Sequence, residues 1–162
     1  MTYKLDGLNK KMSRLKRFFM AEDLQINDGN IRTILEKFLE LKECMGNIGN
    51  DIHFLTSCLA NSFLNKKHGI TIDLDKAVGS AGLDINLEDI VAEIKTTIPV
   101  YENDFGAQQK EKIKENLERL ENASKKHKYF FIISDKTERI LKQKYSRHYP
   151  SVKIVNLLKE DL

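Results

Sequence analysis

The stretch Gly82-Leu83-Asp84-Ile85-Asn86-Leu87-Glu88-Asp89-Ile90-Val91-Ala92-Glu93-Ile94-Lys95-Thr96-Thr97 decides how the rest of the chain is read. Leu83, Ile85 and Leu87 alternate with Asp84 and Asn86; Ile90, Ala92 and Ile94 alternate with Val91, Glu93 and Lys95. Period-two alternation puts each set on one face of a pleated strand, and the polar turn at Leu87-Glu88-Asp89 joins the two strands as a hairpin. If the chain reverses between Glu88 and Asp89, Asp84 lies directly across from Glu93. Both carboxylates then leave the same face, and Lys95 joins them. Directly opposed Cβ atoms sit roughly 4.5–5.5 Å apart, where like charges destabilise a sheet. A divalent cation removes that repulsion, because Mg²⁺ favours hard carboxylate oxygens and takes only one or two from a protein. An ammonium beside it can orient or activate a water, or steady charge on a phosphate.

Downstream of the hairpin, Thr96 to Phe105 contains Pro99 and several polar residues and reads as a loop. A helix from about Gly106 to Lys125 follows, with Ile113, Leu117, Leu120 and Ala123 as its apolar stripe. One turn back along that stripe lies Gln109, which brings its amide toward the hairpin. The unbroken apolar run Tyr129-Phe130-Phe131-Ile132-Ile133 predicts a central strand covered on both faces. Asp135 is placed to cap a helix from Lys136 to Tyr145 that turns Ile140 and Leu141 inward, and Val152 to Val155 is a last strand.

Upstream, residues 1–45 read as two helices broken at Asn27-Asp28-Gly29-Asn30. Leu8, Met12, Leu15 and Phe19 make one stripe; Ile31, Ile34 or Leu35, Phe38 and Leu41 make the other. Their role is a dimer interface, a DNA-recognition arm or a brace. A third helix opens at Gly49-Asn50-Asp51 and runs to about Asn65, with Ile48, Ile52, Leu55, Leu59 and Phe63 as its expected buried stripe. His53 reads as a surface or internally satisfied histidine. Ile70, Ile72 and Leu74 alternate with Thr71, Asp73 and Asp75, which predicts a strand before Gly79-Ser80-Ala81-Gly82, a stretch that lets the backbone bend ahead of Asp84.

With 162 residues, the chain is expected to be one domain or one domain with an appendage. Its longest apolar run is too short to span a bilayer, and its basic N-terminus is followed by no apolar segment of a signal peptide. Cys44 and Cys58 have no metal-ligand spacing and suit reduced thiols in a cytoplasmic protein. The net charge of +3 decides little. Its distribution says more: Lys10, Lys11, Arg14, Lys16 and Arg17 form one basic set, and Lys136, Arg139, Lys142, Lys144 and Arg147 form another. Such sets contact phosphates or simply solvate a helix face. No glycine-rich phosphate loop or nucleophile elbow is present, which disfavours nucleotide-binding enzymes and serine hydrolases.

Asp84, followed by Glu93-Ile94-Lys95 on the next strand, resembles the PD-(D/E)xK motif of the restriction endonuclease-like nuclease superfamily; Leu83 stands where the motif's name has proline. The element order also resembles that core over residues 46–156. The resemblance implies an α/β (mixed α+β) fold, with a central mixed five-stranded sheet flanked by helices in residues 46–162 and residues 1–45 as an N-terminal helical extension. It implies a Mg²⁺-dependent endodeoxyribonuclease, with Mn²⁺ as the alternative metal. Asp84, Glu93 and the main-chain carbonyl of Ile94 would hold the metal, and Lys95 would position the attacking water. Gln109 or Gln108 would touch the scissile phosphate or the water, although either also reads as a helix-start glutamine facing solvent. Asp51, or more weakly Glu43, would approach the metal, although Asp51 equally suits the positive end of its helix. DNA is the implied partner, contacted by Lys10, Lys11, Arg14, Lys16, Arg17 and Lys110. Cutting both strands implies a two-fold homodimer. A type II restriction enzyme is the leading expectation. The alternatives are a Holliday junction resolvase or repair nuclease of the same fold, and a non-catalytic nuclease-like DNA-binding module.

Overall fold

The computed structural model describes the backbone of residues 2–19, 31–74 and 82–161, and the side chains of 6–16, 35–74 and 82–161. The expected break at Asn27–Asn30, the bend at Gly79–Ala81 and the side chain of Arg17 lie outside the described residues. The chain divides into two compact units, Met1–Asp51 and Ile52–Leu162. No helix among the described residues is long and apolar enough to cross a membrane.

The first unit holds α1 (Thr2–Phe19), α2 (Ile31–Met45) and the opening turn of α3 (Ile48–His68). Helices α1 and α2 pack on each other, and Arg14 faces Glu43 at 3.8 Å between them. The expected apolar stripes are not buried throughout: Met12 is 63% exposed and Phe38 is 58% exposed. At the head of α3, Asn47 accepts from the Asn50 amide through both its carbonyl oxygen, at 3.1 Å, and its side chain, at 3.4 Å. An asparagine there satisfies amides that a helix start leaves without partners.

The second unit is a mixed α/β layer structure. Strands β1 (Ile85–Asn86), β2 (Ile90–Lys95), β3 (His127–Ile132) and β4 (Val152–Asn156) lie in the order β1-β2-β3-β4. The first pair is antiparallel and the other two pairs are parallel. Helix α4 (Ala107–Asn122) connects β2 to β3, and α5 (Asp135–Lys144) connects β3 to β4. Both crossovers step in the same direction, and connections of one hand place both helices on the same face. That face buries Val91, Phe130 and Ile132 against Ile113, Leu117, Leu120, Ile140 and Leu141. The opposite face buries Ile90, Ala92, Ile94, Tyr129 and Phe131 against Ala60, Phe63 and Leu64 of α3. The Phe63 ring meets Tyr129 and Phe131 edge-on at 5.5 and 5.4 Å. The aromatic run is thus the central strand covered on both sides, as its continuous apolarity predicts.

Three expectations are corrected. Among the described residues the sheet has four strands, not five: residues 70–74 form no strand. Their alternation holds, with Ile72 and Leu74 buried in the α3-side core. However, the Ile72 amide is taken by the Asn61 side chain at 2.8 Å instead of a neighbouring strand. Alternation reports which face is buried; a ladder also needs an edge to pair with. Second, α3 turns a different face inward. Phe54, Ser57, Ala60, Phe63 and Leu64 are buried, whereas Ile52 and Leu55 are exposed. Small residues at the contact let the helix backbone approach the sheet, and the Ser57 hydroxyl satisfies itself on the His53 carbonyl at 2.9 Å. Third, the cap of α5 is Ser134, whose hydroxyl accepts from the Thr137 amide at 3.3 Å; Asp135 is the first residue of the helix.

Candidate active site

Strand β1 pairs with β2 through Ile85↔Ala92 and Asn86↔Val91. The Leu87 amide donates to the Ile90 carbonyl at 2.8 Å, so the reversal falls between Glu88 and Asp89. One residue beyond the ladder, Asp84 therefore stands across from Glu93, in the register read from the sequence. There the ladder changes character. The Ile94 amide donates to Asp84 Oδ2 at 2.7 Å, so a side-chain oxygen takes the place of a backbone acceptor. Asp84 is thereby held against the main chain between Glu93 and Lys95.

Glu93 belongs to the face covered by α4 and α5, and it is only 6% exposed. Two groups hold the same carboxylate oxygen: Lys95 Nζ and Asn116 Nδ2 of α4, each at 2.7 Å. Asn116 is itself buried, three residues after Ile113 and four before Leu120, on the inward stripe of α4. A buried carboxylate needs such partners, since an unpaired one is costly. Burial pushes the Glu93 carboxyl up, and the nearby Asp84 charge adds to the rise; the Lys95 contact opposes it without cancelling it.

Asp84 has the opposite fate. Burial alone would push its carboxyl up, but the bonds from His53 and the Ile94 amide outweigh it and hold it below its usual range. His53 Nε2 of α3 lies 3.5 Å from Asp84 Oδ1. That contact raises the imidazole above its ordinary value, against the effect of burial, with a smaller contribution from Glu93. Two adjacent carboxyls are thus driven apart in acidity, as happens where one fold separates the roles of two titrating groups.

The other sequence candidates fall elsewhere. Gln109 has its whole amide engaged by the loop before α4. Its Oε1 accepts from the Gly106 amide at 3.0 Å and the Val100 amide at 3.4 Å, and its Nε2 donates to the Ile98 carbonyl at 3.0 Å. This is the reciprocal half of a capping box, extended into a clasp on the loop. Neighbouring Gln108 is exposed. Asp51 pairs with Lys11 within the first unit. Lys110 pairs with Asp104 at 2.8 Å, and Lys144 reaches the same oxygen at 3.0 Å. Lys10 and Lys16 are exposed on α1.

Sequence reading passed over two residues of the site, His53 and Asn116. Asn116 left a signal, a lone amide in an apolar helical stripe. His53 left none, because nothing local ties it to a residue so far along the chain.

Among the described residues, no three His, Cys, Asp or Glu side chains gather as a metal site. The donor chemistry at Asp84 and Glu93 nonetheless fits a hard divalent cation. Mg²⁺ needs only one or two carboxylates and completes its shell from main-chain oxygen, water or phosphate. Comparison with protein-family models, with curated proteins and with solved structures finds no match for the chain.

Proposed function

We propose that the protein is a Mg²⁺-dependent endodeoxyribonuclease with a restriction endonuclease-like core. The observation that carries this reading is the meeting of Asp84 and Glu93 across the hairpin, with Lys95 Nζ 2.7 Å from Glu93. A hairpin followed by two crossovers, with the site at the carboxyl end of a parallel strand, supports the fold part of the reading. Asp84, Glu93 and the Ile94 carbonyl would hold the cation, which would supply Lewis-acid polarisation of a phosphodiester and charge stabilisation at its leaving oxygen. The chain's own groups do the rest. Lys95 orients the attacking water, Asn116 fixes the rotamer of Glu93, and His53 braces the far side of Asp84. A two-fold dimer would supply one such site to each strand of a duplex.

The test is incubation of supercoiled plasmid and phage DNA with the protein, with Mg²⁺ and with chelator, beside Glu93→Gln and Lys95→Ala. Discrete fragments that need metal and vanish in both variants are expected, and they indicate a type II restriction enzyme. Nicks or smears lost in the same variants move the reading to a repair nuclease. Cleavage confined to four-way junctions moves it to a resolvase. Intact plasmid, phage DNA and junction would overturn the enzyme in favour of a DNA-binding module.

A further inference from the structure

The pole of the sheet opposite the carboxylates carries the reverse charge. Where β3 and β4 begin, a cavity of about 260 Å³ is lined by Lys126, His127, Lys128 and Tyr129 and by Pro150, Ser151, Val152 and Lys153. The last residues of α3 lie beside it. The His68 and His127 ring centroids are 4.6 Å apart, and His68 Nε2 is hydrogen-bonded to the Tyr129 hydroxyl at 2.8 Å. Lys67 Nζ stands over the Phe63 and Tyr129 rings at 5.0 and 5.7 Å from their centroids. Among the described residues, no carboxylate forms an ion pair with Lys67, Lys126, Lys128 or Lys153. Acidic residues also lie nearby. Glu160 acts on Lys67 without pairing to it, and Glu121 accepts from the Ser151 amide at 3.2 Å. Asp89 and Glu88 of the hairpin turn reach this pole through their main-chain carbonyls, which accept from the His127 amide at 2.9 Å and from Lys125 Nζ at 3.1 Å.

These cations work against one another. Lys67 is held below its ordinary value by burial and then by Lys153. His68 is held below its own by burial, and then by His127, Lys67, Lys126 and Lys153. Tyr129 is raised by burial and stays a neutral phenol, so it brings no counter-charge. A strand junction needs no such gathering of like charge, and an anion in the cleft would relieve it. The number of cations exceeds what a single carboxylate would neutralise. A phosphate brings about −1.5 to −2 charges and three strong acceptor oxygens in one group.

We propose that this cleft is a phosphate-binding site, in which Lys67, Lys126 and Lys153 supply charge and His68 and His127 supply ring N–H donors. The phosphate belongs either to a DNA backbone or to a small phosphorylated molecule. The site does not depend on the nuclease reading, since it shares no residue with Asp84, Glu93 or Lys95. Binding favours protonated imidazole, so affinity rises as the pH falls through the range in which histidine changes charge.

The test is an NMR titration of the imidazole C–H resonances of the full chain between about pH 5 and 8, the range in which histidine changes charge. Spectra in chloride are compared with spectra in inorganic phosphate at matched ionic strength. At saturating phosphate the titration of His68 is expected to move up by about one unit, the shift that a tenfold preference for the protonated ring requires. His53, at the other pole, serves as the internal reference. The double variant Lys126→Gln/Lys153→Gln alters two exposed side chains and so keeps the fold; it is expected to lose the response. An unmoved His68 titration, or a shift that persists in the double variant, would overturn the site. A short DNA duplex without metal then separates the sources. A matching shift competed away by inorganic phosphate assigns the DNA backbone, and a response to phosphate alone assigns a small phosphorylated ligand. Cleavage is not read in this experiment, so its failure leaves the nuclease reading standing.

Discussion

At the scale of single residues, Glu93 combines burial, charge and shared partners. Its carboxyl is raised because burial and the nearby Asp84 charge disfavour the ionised form more than Lys95 favours it. The ionised side chain therefore lowers stability at neutral pH, a common cost of a functional group. Glu93→Gln is expected to abolish metal-dependent cleavage while the melting temperature at neutral pH stays unchanged or rises by about 2–4 °C, roughly what 1 kcal/mol gives in a domain of this size. Calorimetry beside the cleavage assay checks both parts, and a lower melting temperature would contradict the sign. Asn116→Ala removes one partner of that buried oxygen and is expected to cost about 1–3 kcal/mol in urea denaturation. The cost should shrink in the Glu93→Gln background, where a charge no longer waits for the amide. The register that brings Asp84 and Glu93 together was legible because a two-residue turn and strict alternation leave one pairing. The partners were less legible, because they arrive from helices through packing that no local pattern records.

At the scale of elements, the segment between β2 and α4 is pinned from several sides. Gln109 clasps Ile98, Val100 and Gly106. The Thr137 hydroxyl donates to the Thr97 carbonyl at 2.8 Å, and Arg139 and Lys136 reach Glu102 at 3.0 and 3.3 Å. Phe105 is fully buried beneath this segment, edge-on to Tyr145 at 6.4 Å. Gln109→Ala is expected to cost about 1 kcal/mol, as the loss of a helix cap does. It should also speed amide exchange at Val100 and Gly106 well before the rest of the sheet opens. Unchanged exchange there, with a large loss of cleavage rate, would instead point to direct contact of Gln109 with substrate. The sequence reading aimed this glutamine at the hairpin, whereas its amide is taken by the loop before α4, a contact that depends on how Pro99 and Phe105 fold the segment back. Residues 70–74 teach the complementary lesson. Their pattern sorted Ile72 and Leu74 into the core, while Asn61 settled the backbone in a way alternation does not encode.

At the scale of the whole molecule, α3 carries His53 near Asp84 and His68 near Lys67, His127 and Lys153, and the two shift in opposite directions from 6.5. For His53 the folded form binds its proton more tightly. Its share of stability is complete below about 6.5 and is lost as the pH rises through the raised folded value. For His68 the folded form resists the proton, so its share is complete above about 6.5 and is lost as the pH falls through the lowered value. NMR titration of the metal-free protein should show His53 changing charge at distinctly higher pH than His68; coincident or reversed midpoints would contradict the arrangement. In acid, Asp104 and Glu138 are held down to about 2 by their lysines, and Asp84 is also lowered. Their contributions are complete above about pH 4.5 and vanish as the pH falls toward the folded values, so the urea midpoint should drop across that window.

The division between the two units falls inside α3, after Asp51, and this governs how the second unit should be produced on its own. A fragment beginning at Ile52 would discard Asn47 and leave His53 in the first turn of a newly cut helix, among amides with no acceptor. The positive end of the helix would then stand against the imidazolium and weaken its hold on Asp84. A fragment beginning at Asn47 keeps the natural cap and leaves His53 beyond the first turn. The shorter piece would thus carry every carboxylate of the candidate site and still misreport its acidity.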